Sequence, residues 1–108
     1  MSATSRTRGA GDTPAFATLE VFPNMPNPFS QGTTLRLGLP QDASVRVEVF
    51  DVAGRRVIAR DAGTMSAGLQ SLRLSGRSDR GALLPSGVYF YRVTAAGVST
   101  TRKMVVQR

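Results

Sequence analysis

The side chains able to do chemistry in this chain are few and scattered. Histidine and cysteine are absent, and seven acids stand against fourteen basic residues, a formal charge of +7 over 108 residues. No imidazole base, thiolate nucleophile or disulfide framework can therefore be built. Asp51, Asp61 and Asp79 could approach a cation, but no stretch has the alternating carboxylates of a calcium loop. No glycine-rich phosphate loop opens a helix. The expectation is a non-catalytic protein with no catalytic, cofactor-binding or metal-binding residues, its acids serving turns and solvation.

The positive charge raises the question of nucleic acid, and its placement argues against that partner. Arg36, Arg46, Arg73, Arg92 and Arg102 each sit in a different alternating segment, interspersed with Glu48, Asp51 and Asp61. They do not gather on one helix or beside stacking aromatics, so outward-facing solvated arginines are expected. Adhesion or carbohydrate binding would need an exposed aromatic platform. Most of the aromatics are wanted by a core or its rim, but Phe50 and Phe90 lie opposite the better-buried residues of their strands. Exposed and adjacent, those two rings would form a docking patch.

The elements that position these residues are strands. Met1 to about Ala15 is poor in apolar residues and broken by glycine and proline, so residues 1–17 read as a flexible arm. The fold is expected over residues 18–108. Thr18–Phe22 is a short first strand, stopped by Pro23, which lacks a ladder donor. Thr33–Leu39 alternates with Leu35, Leu37 and Leu39 on one face, and Ser44–Asp51 repeats the pattern with Val45, Val47 and Val49 inward. Val52-Ala53-Gly54 turns the chain, with Gly54 at positive φ, and Arg55–Arg60 runs back. A loop from Gly63 to Gly68 precedes Leu69–Leu74. Val88–Ala95 and Val98–Val106 meet at Ala96-Gly97, with Tyr89 and Tyr91 as core or corner residues. About seven short strands without helical period predict an all-β fold, an antiparallel immunoglobulin-like β-sandwich. With no Cys and no Trp, the disulfide and tryptophan of antibody domains are missing.

Four stretches resemble the C-terminal sorting domain, type A, of proteins exported by the bacterial type IX secretion system. Pro26-Asn27-Pro28-Phe29 matches the family's opening Pro-Asn-Pro-Phe. Val47 to Val57, with Gly54-Arg55 at its turn, resembles its central strand, Gly-Arg turn and return strand. Ser86-Gly87-Val88-Tyr89-Phe90-Tyr91-Arg92-Val93 matches its Ser-Gly-hydrophobic-Tyr block, and Lys103 to Arg108 resembles its basic and hydrophobic terminus. Leu74-Ser75 stands where many members carry Trp-Asp or Trp-Asn. The same pattern also resembles the immunoglobulin-like domain of the flagellar hook-capping protein, which would make the chain a structural extracellular module instead.

The first resemblance implies a domain that directs an N-terminal passenger through the outer membrane. Its partners would be the type IX translocon, which recognises it, and a sortase-like peptidase, which removes it by cutting within the arm. Recognition would fall on an exposed edge strand and on Lys103, Met104, Val105, Val106 and Arg108. Met1 to Gly11 lacks the apolar core of a secretory signal, and no stretch approaches the length of a membrane helix. The chain is accordingly expected to be the tail of a longer exported precursor, or a reading frame split from its passenger, destined for the periplasm, the cell surface or the medium.

Overall fold

The computed structural model describes residues 16–108. Seven strands follow in order: β1 Glu20–Met25, β2 Thr33–Leu39, β3 Ala43–Asp51, β4 Arg56–Met65, β5 Gly68–Leu74, β6 Gly87–Ala95 and β7 Val98–Val106. They form two antiparallel sheets, one in the order β1-β2-β5 and the other β4-β3-β6-β7. This is the immunoglobulin-like sandwich that the period-2 patterning predicts. Leu35, Leu37 and Leu39 from the small sheet meet Val45, Val47 and Val49 of β3, Tyr91 and Val93 of β6, and Met104 and Val106 of β7, all of them buried. Alternation decides this arrangement: one face of every strand is apolar, and burying both such faces against each other removes them from water together.

Two strands depart from the sequence expectation. The first does not stop at Pro23: β1 runs to Met25, with a register irregularity between Phe22 and Met25. A proline is tolerated here because β1 is an edge strand and the irregularity removes the need for its missing donor. The same irregularity turns both Val21 and Asn24 inward, three residues apart where a regular strand would require an even spacing. The second departure is β4, which continues to Met65 through a bulge where Val45 faces Gly63 and Arg46 faces Asp61. Gly63 has a φ of 72° at that point, so the residue read as the start of a loop instead absorbs the bulge. The remaining turn before β5 is short.

Turn chemistry closes the hairpins as expected. Ala96 and Gly97 take φ of 52° and 76°, the two positive values of a type I′ turn whose twist suits a two-residue hairpin. Gly54 sits at φ 84°. Most of the expected arm lies outside the described residues. Phe16, at its end, packs its ring against the Gly38 backbone and edge-on to Phe22, with 6.3 Å between centroids.

Candidate functional site

The four motif stretches are far apart in the chain, and the structure gathers them at one end of the sandwich. Pairing starts the convergence: Asp51 faces Tyr89, Tyr89 faces Met104, and Gly87 faces Val106, so the β3 turn, the start of β6 and the end of β7 share one end. The Pro26–Phe29 segment then lies along the outer edge of β7. Phe29 N donates to Val105 O at 3.0 Å and Phe29 O accepts from Gln107 N at 2.8 Å, making a parallel bridge with Val106. Asn27 Oδ1 accepts from Val105 N at 2.9 Å. Pro26 O accepts from Thr33 Oγ1 at 2.8 Å, and Pro28 is exposed. Phe29 itself is buried, so the motif acts as a cap that satisfies the last rungs of an edge strand and plugs its end of the core.

The recognition residues expected at the terminus divide sharply in the structure. Lys103 is exposed and Val105 half-buried on the outer face, whereas Met104 and Val106 are 0% and 1% exposed on the core face. Alternation alone accounts for this split. Arg108 is different again, because its guanidinium turns back onto the domain. Nε donates to Leu84 O at 2.6 Å, Nη2 to Gly76 O at 2.9 Å and Nη1 to Ser30 O, while its backbone N–H donates to Ser86 Oγ at 2.9 Å. One side chain thus fastens carbonyls of three loops, of which Gly76 O also accepts from Leu84 N at 3.0 Å. Replacing Arg108 by Met keeps the aliphatic stem and removes these charge-assisted bonds; we expect a loss of about 2 kcal/mol, read as a melting temperature lower by roughly 10 °C in thermal denaturation.

Gly54-Arg55 makes a turn centred on Asp51. Its Oδ1 accepts from Ala53 N at 3.0 Å and Arg55 N at 2.9 Å, and its Oδ2 accepts from Arg55 Nε at 3.0 Å. The Arg55 backbone N–H, first, and its side chain hold the Asp51 carboxyl below the usual range. Asp61 and Asp79 are likewise turn and edge acceptors, for Gly63 N and Ala59 N. At the rim of the core, Tyr89 OH donates to Pro85 O at 2.7 Å.

Two arrangements escaped the sequence reading. On the outer face of the four-stranded sheet, Glu48 is surrounded by arginines from its own and both neighbouring strands: Arg92 Nη2 at 2.8 Å, Arg56 Nη1 at 3.0 Å and Arg46 Nε at 4.0 Å. The only available signal was pairing register, which places Arg92 directly opposite Glu48. Bonds from Arg92 and then Arg56 push the Glu48 carboxyl below its ordinary value despite burial. A depressed carboxyl contributes stability above the unfolded value of 4.5 and loses it as pH falls through the folded one. Acid titration of the native protein should show this fall. Glu48→Gln should cost about 1–2 kcal/mol at neutral pH and flatten the acid limb, with Asp51 left to supply the remaining slope.

The second missed arrangement is inside the small sheet. Asn24 is buried, with Nδ2 donating to Thr33 Oγ1 at 3.0 Å and Pro26 O at 3.2 Å. It fixes the start of the motif segment against β2.

An immunoglobulin-like β-sandwich with its chain-distant motifs bound together at one end is a class with many functions. The FlgD Ig-like domain family matches residues 24–99, well over half of the chain, and the protein belongs to that family. Among solved structures it is similar to the dimeric latent PorU of Porphyromonas gingivalis, with 26% identity, a TM-score of 0.69, and coverage of 82% of this chain and 9% of that one. PorZ of the same organism, described as an essential surface component of the type IX secretion system, shares the fold at 24% identity and a TM-score of 0.56, over 83% of this chain and 11% of its own. FlgD of P. aeruginosa aligns at 25% identity and a TM-score of 0.53, over 68% of this chain and 59% of its own. The chain thus spans about a tenth of PorU and of PorZ. The comparison with curated proteins gives no match.

Proposed function

We propose that this FlgD-type Ig-like domain is a non-catalytic C-terminal sorting domain that takes an attached passenger through the outer membrane by the type IX secretion system. The observation that carries the reading is the convergence of the Pro-Asn-Pro-Phe, Gly-Arg, Ser-Gly-Val-Tyr and terminal stretches on one end of the sandwich. The structural likeness to PorU and PorZ supports it. The translocon would read Lys103 and Val105 from the outer face. It would also read the β7 backbone at Ser99, Thr101 and Lys103, which by alternation points its N–H and C=O groups away from β6. Met104, Val106 and the Arg108 guanidinium would act by holding that edge in shape. A sortase-like peptidase would cut in residues 1–17, most of which lie outside the described residues. The product would reside at the cell surface or outside the cell.

The test fuses the chain behind a signal peptide and a reporter in a host with a working type IX system. A Lys103→Glu, Val105→Ser double variant alters the displayed side chains and spares the core. Surface reporter that falls at least about tenfold for the variant, at unchanged thermal stability, supports sorting. Equal periplasmic retention of parent and variant overturns it in favour of a structural extracellular module.

A further inference from the structure

The outer face of the four-stranded sheet carries a row that crosses every strand. Arg56 faces Phe50, Phe50 faces Phe90, and Phe90 faces Lys103. At the usual strand spacing the row spans about 14 Å. On one side of it Val88 faces Val105, both half-buried, and on the other Glu48 faces Arg92. The result is a small apolar strip with cations at both ends and along one flank. Phe90 is 37% exposed, a large share for an aromatic ring in the middle of a sheet, and Phe50 lies beside it with the Arg92 guanidinium 5.1 Å from its centroid.

The flank is positive for a structural reason. Glu48 already has both oxygens engaged, Oε1 by Arg92 and Oε2 by Arg56. Its charge is spent on holding the two guanidinium groups in place, and Arg46 approaches the same carboxylate. Each guanidinium has five donors. Among the described residues Arg92 commits Nε and Nη2 and Arg56 commits Nη1, which leaves donors of both directed away from Glu48. Arginines fixed in this way bind carboxylates with little further loss of side-chain freedom.

From this geometry we infer that the face docks an acidic protein segment: carboxylates at Arg56, Arg92 and Lys103, with an aliphatic side chain seated between Phe50 and Phe90. Charge complementarity selects the occupant. A bilayer would require a broad apolar surface, and here two rings are bordered by Arg56, Lys103 and the Glu48–Arg92 pair. Single-stranded nucleic acid would require open ring faces for stacking, and Arg92 sits over Phe50. The strip is small, so the complex is a weak, transient one. The face shares Lys103 with the sorting proposal, but its test reads a binding equilibrium in solution and not secretion, so either proposal can fail while the other stands.

The experiment is a ¹⁵N chemical-shift titration of the full chain with a synthetic peptide of repeating Glu-Leu-Glu-Ser. Shifts confined to outer-face residues of β3, β6 and β7 and to the Arg56 end of β4 are expected. Phe90→Ser and, separately, Lys103→Gln should each weaken binding about threefold or more, and the two together about tenfold; both positions are exposed, so the fold survives. Equal binding of a Lys-Leu-Lys-Ser or a Glu-Ser-Glu-Ser peptide overturns the inference, as does the absence of binding, or shifts that map elsewhere. Phe90-dependent binding to phosphatidylglycerol vesicles in place of the peptide also overturns it and assigns the face to a membrane.

Discussion

Deletion of Lys103 to Arg108 will unfold this domain. Two of the six residues, Met104 and Val106, are 0% and 1% exposed, and each fully buried aliphatic side chain stabilises by about 1.5–3 kcal/mol. The deletion also removes the four β6 rungs from Phe90-Lys103 to Gly87-Val106, the bridge to Phe29, the Asn27 cap on Val105, and the Arg108 bonds to three loops. The sum exceeds about 5 kcal/mol, which is the whole stability of many domains of this size. Circular dichroism should show no cooperative melt, and the amide spectrum should collapse to the narrow dispersion of an unfolded chain. A sharp melt within a few degrees of the parent would mean that the end of β7 is an appendage. The consequence for function is direct: loss of secretion after such a truncation reports a lost fold as readily as a lost signal. Point variants at Lys103 and Val105 separate the two, because alternation places those side chains away from the core.

How much of this was legible beforehand follows from what each feature depends on. Strands whose identity rests on local alternation, such as Thr33–Leu39 and Val98–Val106, coincide with their expected limits. So do the inward sets Leu35, Leu37, Leu39 and Val45, Val47, Val49, because a one-residue slip would expose all of either set. The β1 and β4 limits were missed because proline and glycine were read as stops, whereas irregular pairing accommodates both residues. The end-of-sandwich site was half legible. Its motifs can be read one by one, but their convergence cannot, since Arg108 joins carbonyls 24, 32 and 78 residues away. The sequence makes Phe50 and Phe90 a docking patch only if both are adjacent and exposed. Register makes them adjacent and Phe90 is exposed, but Phe50 is half-buried under Arg92, so the condition is met in part.

Tyr91 is the position where one side chain holds the two sheets together. It is 0% exposed, and it lies opposite Val49 on one side and Arg102 on the other. Its hydroxyl reaches across the core to donate to Phe22 O at 3.1 Å, beside the β1 irregularity. Arg102 supports the same crossing, with Nε donating to Val21 O at 2.6 Å. Tyr91→Ala should cost about 3–5 kcal/mol, since the ring leaves a cavity that interlocked sheets cannot close. Tyr91→Phe keeps the ring and should cost about 1 kcal/mol, the net value of a hydrogen bond. Urea unfolding measures both. If the Phe variant were as unstable as the Ala variant, the hydroxyl and not the ring would hold the sheets. Burial also raises the Tyr91 phenol above its ordinary value of 10.0. The group then stabilises the fold fully below the unfolded value and loses that contribution as pH rises through the folded one. Alkaline titration followed by phenolate absorbance should therefore show Tyr91 ionising late and together with unfolding, and Tyr91→Phe should make the alkaline limb shallower. An early, non-cooperative ionisation of Tyr91 would place its ring in water and break the link between the two sheets.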